Sequence, residues 1–379
     1  MRATMFYSLT LVIALLISPF MCFAENGLEQ DVFLSSQNSG PLKEKEGDIK
    51  YLYYIKSPGG KKIKVQIDFA ESAFIFLNGR SFTNGDRKNS GFVATLLPQG
   101  RLLVNSHSLE DAGSNKKSTK ATIVLGNIVS RDGKRIISKL ILKVKLKKGK
   151  NFFVNKKYTA ARNNLIALEA LKKKILSSKS GKPLSVRFGF IRSITNGSEK
   201  FVLQKINNAI SHWHRVMAAE DVGIIKVDKK NFKPRYCLKG TKKTFKILRN
   251  ERSALYNNFV SRGVALSKNY PKQKDVKQIV VAYNDSFCII RGFDGGCDTH
   301  VVRKELVGAD GYVKSIAVKS AKKEFGDRLV FGASGTPVFS SLGKFIGICS
   351  RYNEDEKNMA ITLVTKGKIS GIIEGGKNK

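Results

Sequence analysis

The stretch Phe331–Ser350, FGASGTPVFSSLGKFIGICS, holds one lysine, in a chain that has 68 Lys or Arg among 379 residues. Gly332 and Gly335 lie on either side of Ser334, and a proline leads into an apolar run. Because glycine reaches backbone conformations with positive φ, such a turn can direct N–H groups to one point beside a hydroxyl. The stretch therefore predicts a turn that presents Ser334 as a nucleophile. The alternative is an ordinary glycine-rich turn that opens a hairpin.

A serine hydroxyl is a weak nucleophile and needs a base, so the four histidines are the next residues to consider. His107 ends SGFVATLLPQGRLLVNSH, in which two strand-like runs are joined by a Pro-Gln-Gly turn. A histidine at the end of a buried strand can be held rigidly while it faces a cleft. His212 and His214 lie two positions apart in a helical pattern and do not share a face, and His300 lies in a polar loop. His107 is the predicted base.

The imidazole of a catalytic base is normally oriented by a carboxylate. Asp221 opens the apolar strand-like run DVGIIKV, which would place its side chain at the mouth of a core. Asp111 and Asp132 lie closer to His107 in sequence and remain alternatives, although neither opens an apolar strand.

The pattern of the chain predicts an all-β protein with helical insertions. Between residues 48 and 146, short strand-like runs alternate with Gly, Asn and Pro, as in IISKLILKVKLKK, where lysines alternate with Leu or Val. A helical insertion is predicted at about 158–218, where Leu165, Leu168, Leu171 and Ile175 share one face. The predicted units are a first barrel at 48–230, which includes the insertion, and a second at 231–379, which ends with a strand and a helix.

Residues 1–24 have one charge and a long apolar run that ends at Ala24, which is typical of a secretory signal peptide. An uncleaved membrane anchor is the alternative, since the run is nearly long enough to span a bilayer. Residues 25–47 are polar and predict a flexible lead-in. The protein is expected to be exported, to the periplasm or the medium, with no transmembrane span after cleavage of the signal.

The formal net charge of +38 permits adhesion to an anionic surface, but a general lysine-rich bias without a specific partner is the favoured interpretation. Lysine outnumbers arginine and no aromatic-interleaved motif occurs, so no specific nucleic-acid partner is predicted. There is no CxxC pair, and neither a metal nor a cofactor is predicted.

The segments SGFVATLLPQGRLLVNSH, DVGIIKV and GASGTPVFSSLGKFIGICS resemble the His, Asp and Ser segments of trypsin-like serine peptidases. Within that family they are most similar to the bacterial high-temperature-requirement (Do-like) branch, here without a peptide-binding domain. The order His, Asp, Ser also differs from that of α/β-hydrolases, where Ser comes first. The resemblance covers about residues 48–107, 219–230 and 326–372, and the 114 positions between His107 and Asp221 exceed the spacing usual in the family.

The resemblance implies two six-stranded antiparallel β-barrels with the active site between them. It implies a serine endopeptidase that cleaves polypeptide substrates through an acyl-enzyme, with Ser334 as nucleophile, His107 as general base and Asp221 as orienting carboxylate. A catalytically inactive trypsin-like fold that serves as a basic surface-binding or interaction protein is the alternative.

The same resemblance supplies two further sets of site residues. The backbone N–H groups of Gly332 and Ser334 would form the oxyanion hole, and the substrate would pair as an added strand with residues Ser350, Arg351 and Tyr352. Arg328 would lie near the base of the specificity pocket, although a solvent-facing position is the alternative.

One disulfide is predicted, between Cys288 and Cys297. The two are separated by eight residues, among them three glycines that let the loop FCIIRGFDGGC turn back on itself. Cys349 lies within a strand and Cys237 is far away in sequence, so both are expected to stay reduced.

Overall fold

The computed structural model describes residues 52–57, 59–78, 91–113, 118–177, 184–187, 194–197, 199–238, 244–283, 296–307, 313–319, 333–353 and 358–377. The strands in these ranges are β1 (Leu52–Lys56), β2 (Lys62–Asn78), β3 (Gly91–Leu97), β4 (Arg101–Val104), β5 (Ser118–Val129), β6 (Ile136–Lys147), β7 (Phe152–Val154), β8 (Leu184–Arg187), β9 (Ile194–Gly197), β10 (Gly223–Lys226), β11 (Pro234–Leu238), β12 (Thr244–Lys246), β13 (Gln278–Tyr283), β14 (Gly296–Val307), β15 (Val313–Lys319), β16 (Pro337–Ser340), β17 (Phe345–Asn353) and β18 (Asn358–Leu363). The helices are α1 (Ser106–Gly113), α2 (Lys156–Ser177), α3 (Glu199–Glu220), α4 (Glu251–Ser261) and α5 (Lys366–Lys377).

The second half of the chain forms a closed antiparallel barrel of six strands, in the order β13-β14-β15-β18-β17-β16. Its interior is filled by apolar side chains from every strand pair, including Val281, Ile316, Val338 and Ile361. When these six strands are numbered along the chain, from β13 as the first to β18 as the sixth, their order around the barrel is first, second, third, sixth, fifth, fourth.

The first half forms a curled antiparallel sheet in the order β12-β11-β6-β5-β2-β3-β4-β10-β7, with β1 paired to β2. β7 pairs with β10 and follows β6 after the turn at residues 148–151, so β6 and β7 together act as one broken strand. With that strand counted as the fifth, the ring β2-β3-β4-β10-β7/β6-β5 has the same order as the second barrel. Asn151 shapes the break, because its side chain accepts a hydrogen bond from the Lys147 N–H at 2.6 Å and donates one to the Lys145 carbonyl at 3.0 Å.

The lysine-rich strand β6 has the two faces that the sequence predicts. Leu140, Leu142 and Leu146 are fully buried in the first core, whereas Lys143 and Lys145 are exposed. The alternation of lysine with leucine is therefore accounted for by a strand with one buried face.

Helices α2 and α3 form the helical region between β7 and β10, and they pack on each other through a small core of their own. Leu168 and Ile175 of α2 are buried against Val202 and Ile206 of α3, with Leu171 partly buried beside them. The predicted apolar face of α2 is thus confirmed. Leu165, nearer the start of α2, is buried in a second small cluster with Met217 of α3.

The predicted fold class, a β-rich trypsin-like double β-barrel with helical additions, is confirmed. Two features differ in detail from the prediction. The first sheet has more than six strands, and β11 and β12 extend it beyond residue 231, so the second barrel starts only at Gln278. Tyr236 explains part of this arrangement, because its ring is buried in the first core when β11 pairs with β6.

The predicted signal peptide and lead-in, residues 1–47, lie outside the described residues. Among the helices that the structure describes, none combines the length and the apolar character that crossing a membrane requires.

Candidate active site

His107 lies at the start of α1, directly after the buried strand β4. The strand is anchored between β3 and β10, and Asn105 and Ser106, which follow it, are fully buried. The side chain of His107 is 24% exposed. The imidazole therefore reaches solvent, while the buried residues before it hold its backbone in place.

Asp221 lies between the end of α3 and the start of β10, and its side chain is completely buried. Its Oδ2 atom lies 2.6 Å from Nδ1 of His107 and accepts a hydrogen bond from Ser350 Oγ at 2.7 Å. Its Oδ1 atom accepts a hydrogen bond from the backbone N–H of His107 at 2.9 Å. The carboxylate therefore fixes both the ring and the backbone of the histidine.

Burial by itself would raise the pKa of Asp221, because desolvation penalises the charged form. The charge of His107 and the hydrogen bonds from His107 and Ser350 outweigh burial, so the pKa of Asp221 lies below its ordinary value. The carboxylate is therefore ionised near neutral pH, which is the state that can orient an imidazole N–H.

The segment around Asp221 is held by an unusual set of side chains. Five successive backbone carbonyls, from residue 218 to residue 222, each accept a hydrogen bond from a side chain that lies elsewhere in the sequence. The donors are Thr362 Oγ1 to Ala218 (2.7 Å), Lys368 Nζ to Ala219 (2.5 Å), Asn155 Nδ2 to Glu220 (3.0 Å), Asn105 Nδ2 to Asp221 (3.1 Å) and Ser106 Oγ to Val222 (2.6 Å).

This arrangement satisfies the carbonyls that a helix leaves free at its C-terminal end. It also ties the Asp221 segment to both barrels, because Asn105 and Ser106 lie at the junction of β4 and α1, whereas Thr362 lies in β18 and Lys368 in α5. Asp221 is therefore held in place from several directions.

Lys368 is the charged member of this set. Its side chain is only 10% exposed, and its ammonium group also lies 3.5 Å from the carboxylate of Glu220. Burial lowers the pKa of Lys368 below its ordinary value, although Glu220 acts in the opposite sense. A buried amine with a carbonyl and a carboxylate as partners is costly to disturb.

We expect Lys368→Met to lower kcat by about 10–100-fold with little change in KM, because a displaced Asp221 misorients the base without touching the substrate. Lys366→Met, at an exposed position on the same helix, is the matched control and should leave both constants unchanged. Steady-state kinetics on the two variants measures the difference. An equal effect of both substitutions, or a change confined to KM, would contradict this positioning role.

Ser334 lies in the turn before β16, and the first barrel holds that turn. The Val93 N–H of β3 donates to the Ser334 carbonyl at 3.2 Å, and Thr95 Oγ1 donates to the Gly335 carbonyl at 3.0 Å. Gly335 has φ +88°, and a Cβ atom there would lie 1.9 Å from the Val93 carbonyl oxygen. Only glycine fits this close approach of the turn to β3.

Ser350 links the serine to the acid–base pair. Its carbonyl accepts a hydrogen bond from Ser334 Oγ at 3.0 Å, while its own hydroxyl donates to Asp221. The structure thus links Ser334 to Asp221 through Ser350, and Asp221 in turn binds His107. In this conformation, the Ser334 hydroxyl is directed to Ser350 rather than to the imidazole.

Beside this group, one edge of β17 has no partner strand among the residues that the structure describes. β16 pairs with β17 only as far as Ile348, and the backbones of Thr336 and Gly335 bind Cys349. From Ser350 to Asn353, no described strand occupies that side of β17. Arg351 and Tyr352 belong to this part of the strand, and their side chains are outside the described residues.

Of the two alternative carboxylates, the structure describes the side chain of Asp132 but not that of Asp111. Asp132 is hydrogen-bonded within its own turn, to Ser130 Oγ and to the Lys134 N–H, and it takes no part in the site. Asp111 lies on α1, and its side chain is not among those described.

Several other predicted residues lie outside the described part of the chain. These are Gly332, Arg328 and Cys288, together with the side chains of Cys297, Cys237 and His300. Cys349 is a buried free thiol, and burial raises its pKa. His212 and His214 are exposed on α3, and no metal-binding group of His, Cys, Asp or Glu occurs among the residues described.

The residues that sequence reasoning missed are those that hold Asp221. For two of them, Asn105 and Ser106, the sequence does contain a clue, because both directly precede His107. Thr362 and Lys368 lie more than 140 residues after the carbonyls that they bind, so no local sequence pattern predicts these contacts.

No protein-family model and no curated protein matches this chain. Solved structures similar to it include a Glu endopeptidase in complex with MPD, with 10% identity over 82% of this chain and 92% of that chain, and a TM-score of 0.32. Deg5 is 9% identical over 81% of this chain and 90% of its own, with a TM-score of 0.34. The catalytically active tobacco etch virus protease complexed with product is 11% identical over 82% and 80%, with a TM-score of 0.35. At such values, any activity must be argued from the site itself.

Proposed function

We propose that the chain is an exported serine endopeptidase of the Do-like branch, which hydrolyses amide bonds of proteins or peptides. The observation that carries the proposal is the buried Asp221 carboxylate 2.6 Å from Nδ1 of His107, with Ser350 connecting it to Ser334. In this proposal Ser334, His107 and Asp221, which are far apart in sequence, act as nucleophile, general base and orienting carboxylate in acyl transfer.

The reaction begins with the hydroxyl of Ser334. A rotation about χ1 takes Oγ from the Ser350 carbonyl toward Nε2 of His107, which accepts the proton as Oγ attacks the scissile carbonyl carbon. Asp221 stabilises the imidazolium and keeps its own negative charge. The imidazolium then protonates the leaving amine, and the acyl group stays on Ser334. A water molecule, deprotonated by His107, releases the acid and restores the serine.

The oxyanion of the tetrahedral intermediates requires preorganised donors. We assign this role to the backbone N–H groups of Gly332 and Ser334, supported by the tight turn that Gly335 permits against β3. The substrate would add as a strand along Ser350, Arg351 and Tyr352, where no described strand pairs with that edge of β17.

Export is part of the proposal. Residues 1–24 would act as a signal peptide, and the enzyme would work in the periplasm or the medium on polypeptide substrates. The apolar run that ends at Ala24 supports this assignment.

A fluorophosphonate probe tests the proposal, because it labels a serine only where a base activates the hydroxyl. The full-length wild type should be labelled, and Ser334→Ala and His107→Ala should each abolish labelling. Ser177→Ala removes an exposed hydroxyl at the end of α2 and should label like the wild type. If the wild type is folded but stays unlabelled, the enzyme assignment is wrong.

One observation favours the alternative of an inactive trypsin-like fold that serves as an interaction protein. The Ser334 hydroxyl donates to the Ser350 carbonyl, a contact that a protein without catalysis could also keep. Labelling that persists in Ser334→Ala would instead show that another nucleophile reacts.

A further inference from the structure

A cleft of about 300 Å³ lies on the first sheet, apart from the candidate active site. Six of its nine lining residues are lysines, whereas Lys and Arg together make up 68 of the 379 residues of the chain. The enrichment therefore exceeds what the basic composition alone would give. The six are Lys143, Lys145, Lys147, Lys150, Lys230 and Lys233.

The two walls of the cleft come from segments that the fold anchors. Lys143, Lys145 and Lys147 project from the exposed face of β6, opposite its buried leucines, and Lys150 lies in the turn that Asn151 holds. The other wall is the segment after β10, which is anchored because Phe232 is buried in the first core.

The two walls are also joined directly. The backbone N–H of Lys226 donates to the carbonyl of Asn151 at 2.8 Å, so the segment after β10 is held beside the turn that follows β6. The positions of the lysine Cα atoms are therefore fixed by the fold, and only the side chains need to adjust to a ligand.

Within the part of the chain that the structure describes, no carboxylate neutralises the charge in the cleft. No described acidic residue lines it, and none of the six amines forms an ion pair with a described carboxylate. Asp228, at the start of the second wall, pairs with Lys226 at 3.2 Å. Like charges gathered in a concave site repel one another and create a positive potential that attracts anions.

We propose that this cleft binds a compact polyanion that carries several phosphate groups. The ammonium group of lysine acts as a point charge that contacts phosphate oxygens without a fixed fork geometry, and lysines converging from two walls suit several phosphates at once. The volume corresponds to about ten water molecules at ~30 Å³ each, which leaves room for a short run of linked phosphates.

Two other anionic partners fit the cleft less well. None of the described residues that line it is aromatic, so these residues offer the bases of single-stranded nucleic acid no surface for stacking. A bilayer presents a flat array of headgroups, whereas these lysines line a concave site.

The test is titration calorimetry of the full chain with inorganic tripolyphosphate at low salt. We expect the wild type to bind, and Lys143→Gln/Lys145→Gln/Lys147→Gln to weaken binding by about tenfold or more through loss of three close charges. Lys230→Gln/Lys233→Gln, on the other wall, should weaken it as well. Lys172→Gln/Lys173→Gln/Lys174→Gln removes three charges from α2 and should leave the affinity within about twofold of the wild type.

The outcomes are distinct. The absence of binding by the wild type, or an equal loss in the α2 control, would overturn the proposal, since binding would then reflect net charge alone. Binding to phosphatidylglycerol vesicles that the cleft and α2 variants weaken equally, together with no binding of tripolyphosphate, would assign the charge to a membrane surface instead. Thermal unfolding of each variant confirms that the exposed substitutions leave the fold intact.

Discussion

Asp221→Asn is expected to lower kcat/KM by about 10⁴-fold without unfolding the protein. The carboxylate accepts hydrogen bonds from the His107 backbone, from its ring and from Ser350, whereas an amide has one acceptor and one donor group. The amide NH₂ would face Nδ1 and stabilise the tautomer that carries its proton on Nε2. That imidazole cannot take a proton from Ser334.

Steady-state kinetics, with thermal unfolding measured in parallel, checks this expectation. Asp132→Asn is the matched control, because Asp132 is exposed and binds only its own turn, and it should retain full activity. Asp111→Asn completes the series. If that variant loses activity and Asp221→Asn does not, the orienting carboxylate has been assigned to the wrong residue.

The second large effect concerns stability. Gly335→Ala is expected to reduce the free energy of unfolding by about 2–6 kcal/mol, from a strained backbone at φ +88° and from overpacking against β3. The added methyl group would lie 1.9 Å from the Val93 carbonyl oxygen and would push β3 away from the turn that carries Ser334. Urea unfolding measures the loss, and labelling by the fluorophosphonate probe should fall with it.

Gly371→Ala provides a control of opposite sign. Gly371 lies inside α5, and a Cβ atom there meets nothing within 4 Å. Alanine should therefore stabilise the helix by about 0.5–1 kcal/mol. A Gly335→Ala variant as stable as the wild type would refute the close packing of the turn on β3.

The part of the fold that could be predicted from sequence is the part encoded by local pattern. In β6, lysine alternates with leucine at the period of a strand, and in α2 the apolar residues recur at the period of a helix. The break between β6 and β7 depends on hydrogen bonds of the Asn151 side chain, which no periodicity reveals. The addition of β11 to the first sheet depends likewise on pairing between strands more than 90 positions apart.

In the candidate site, too, local sequence pattern predicts some residues, whereas other contacts depend on the folded chain. His107 could be proposed because it ends a recognisable strand-like run, Ser334 because glycines flank it in a tight turn, and Asp221 because it opens an apolar run. The role of Ser350 was only partly anticipated. It was predicted as a contact of the substrate backbone, and it lies on the edge of β17 that no described strand covers, but its hydroxyl also binds Asp221. Side-chain contacts across barrels are set by the folded geometry, and sequence spacing contains no information about them.

The five side chains that hold the carbonyls of residues 218–222 also set the order in which the site can form. Two of the donors lie 144 and 149 positions beyond the carbonyls that they bind. Contacts between such distant parts of a chain form late, because a long loop must first close. The segment that carries Asp221 cannot reach its final geometry until β18 and α5 have docked. The peptidase activity proposed for this chain would therefore be absent from a partly folded or incompletely synthesised chain, and proteins around it would not be cleaved during its synthesis.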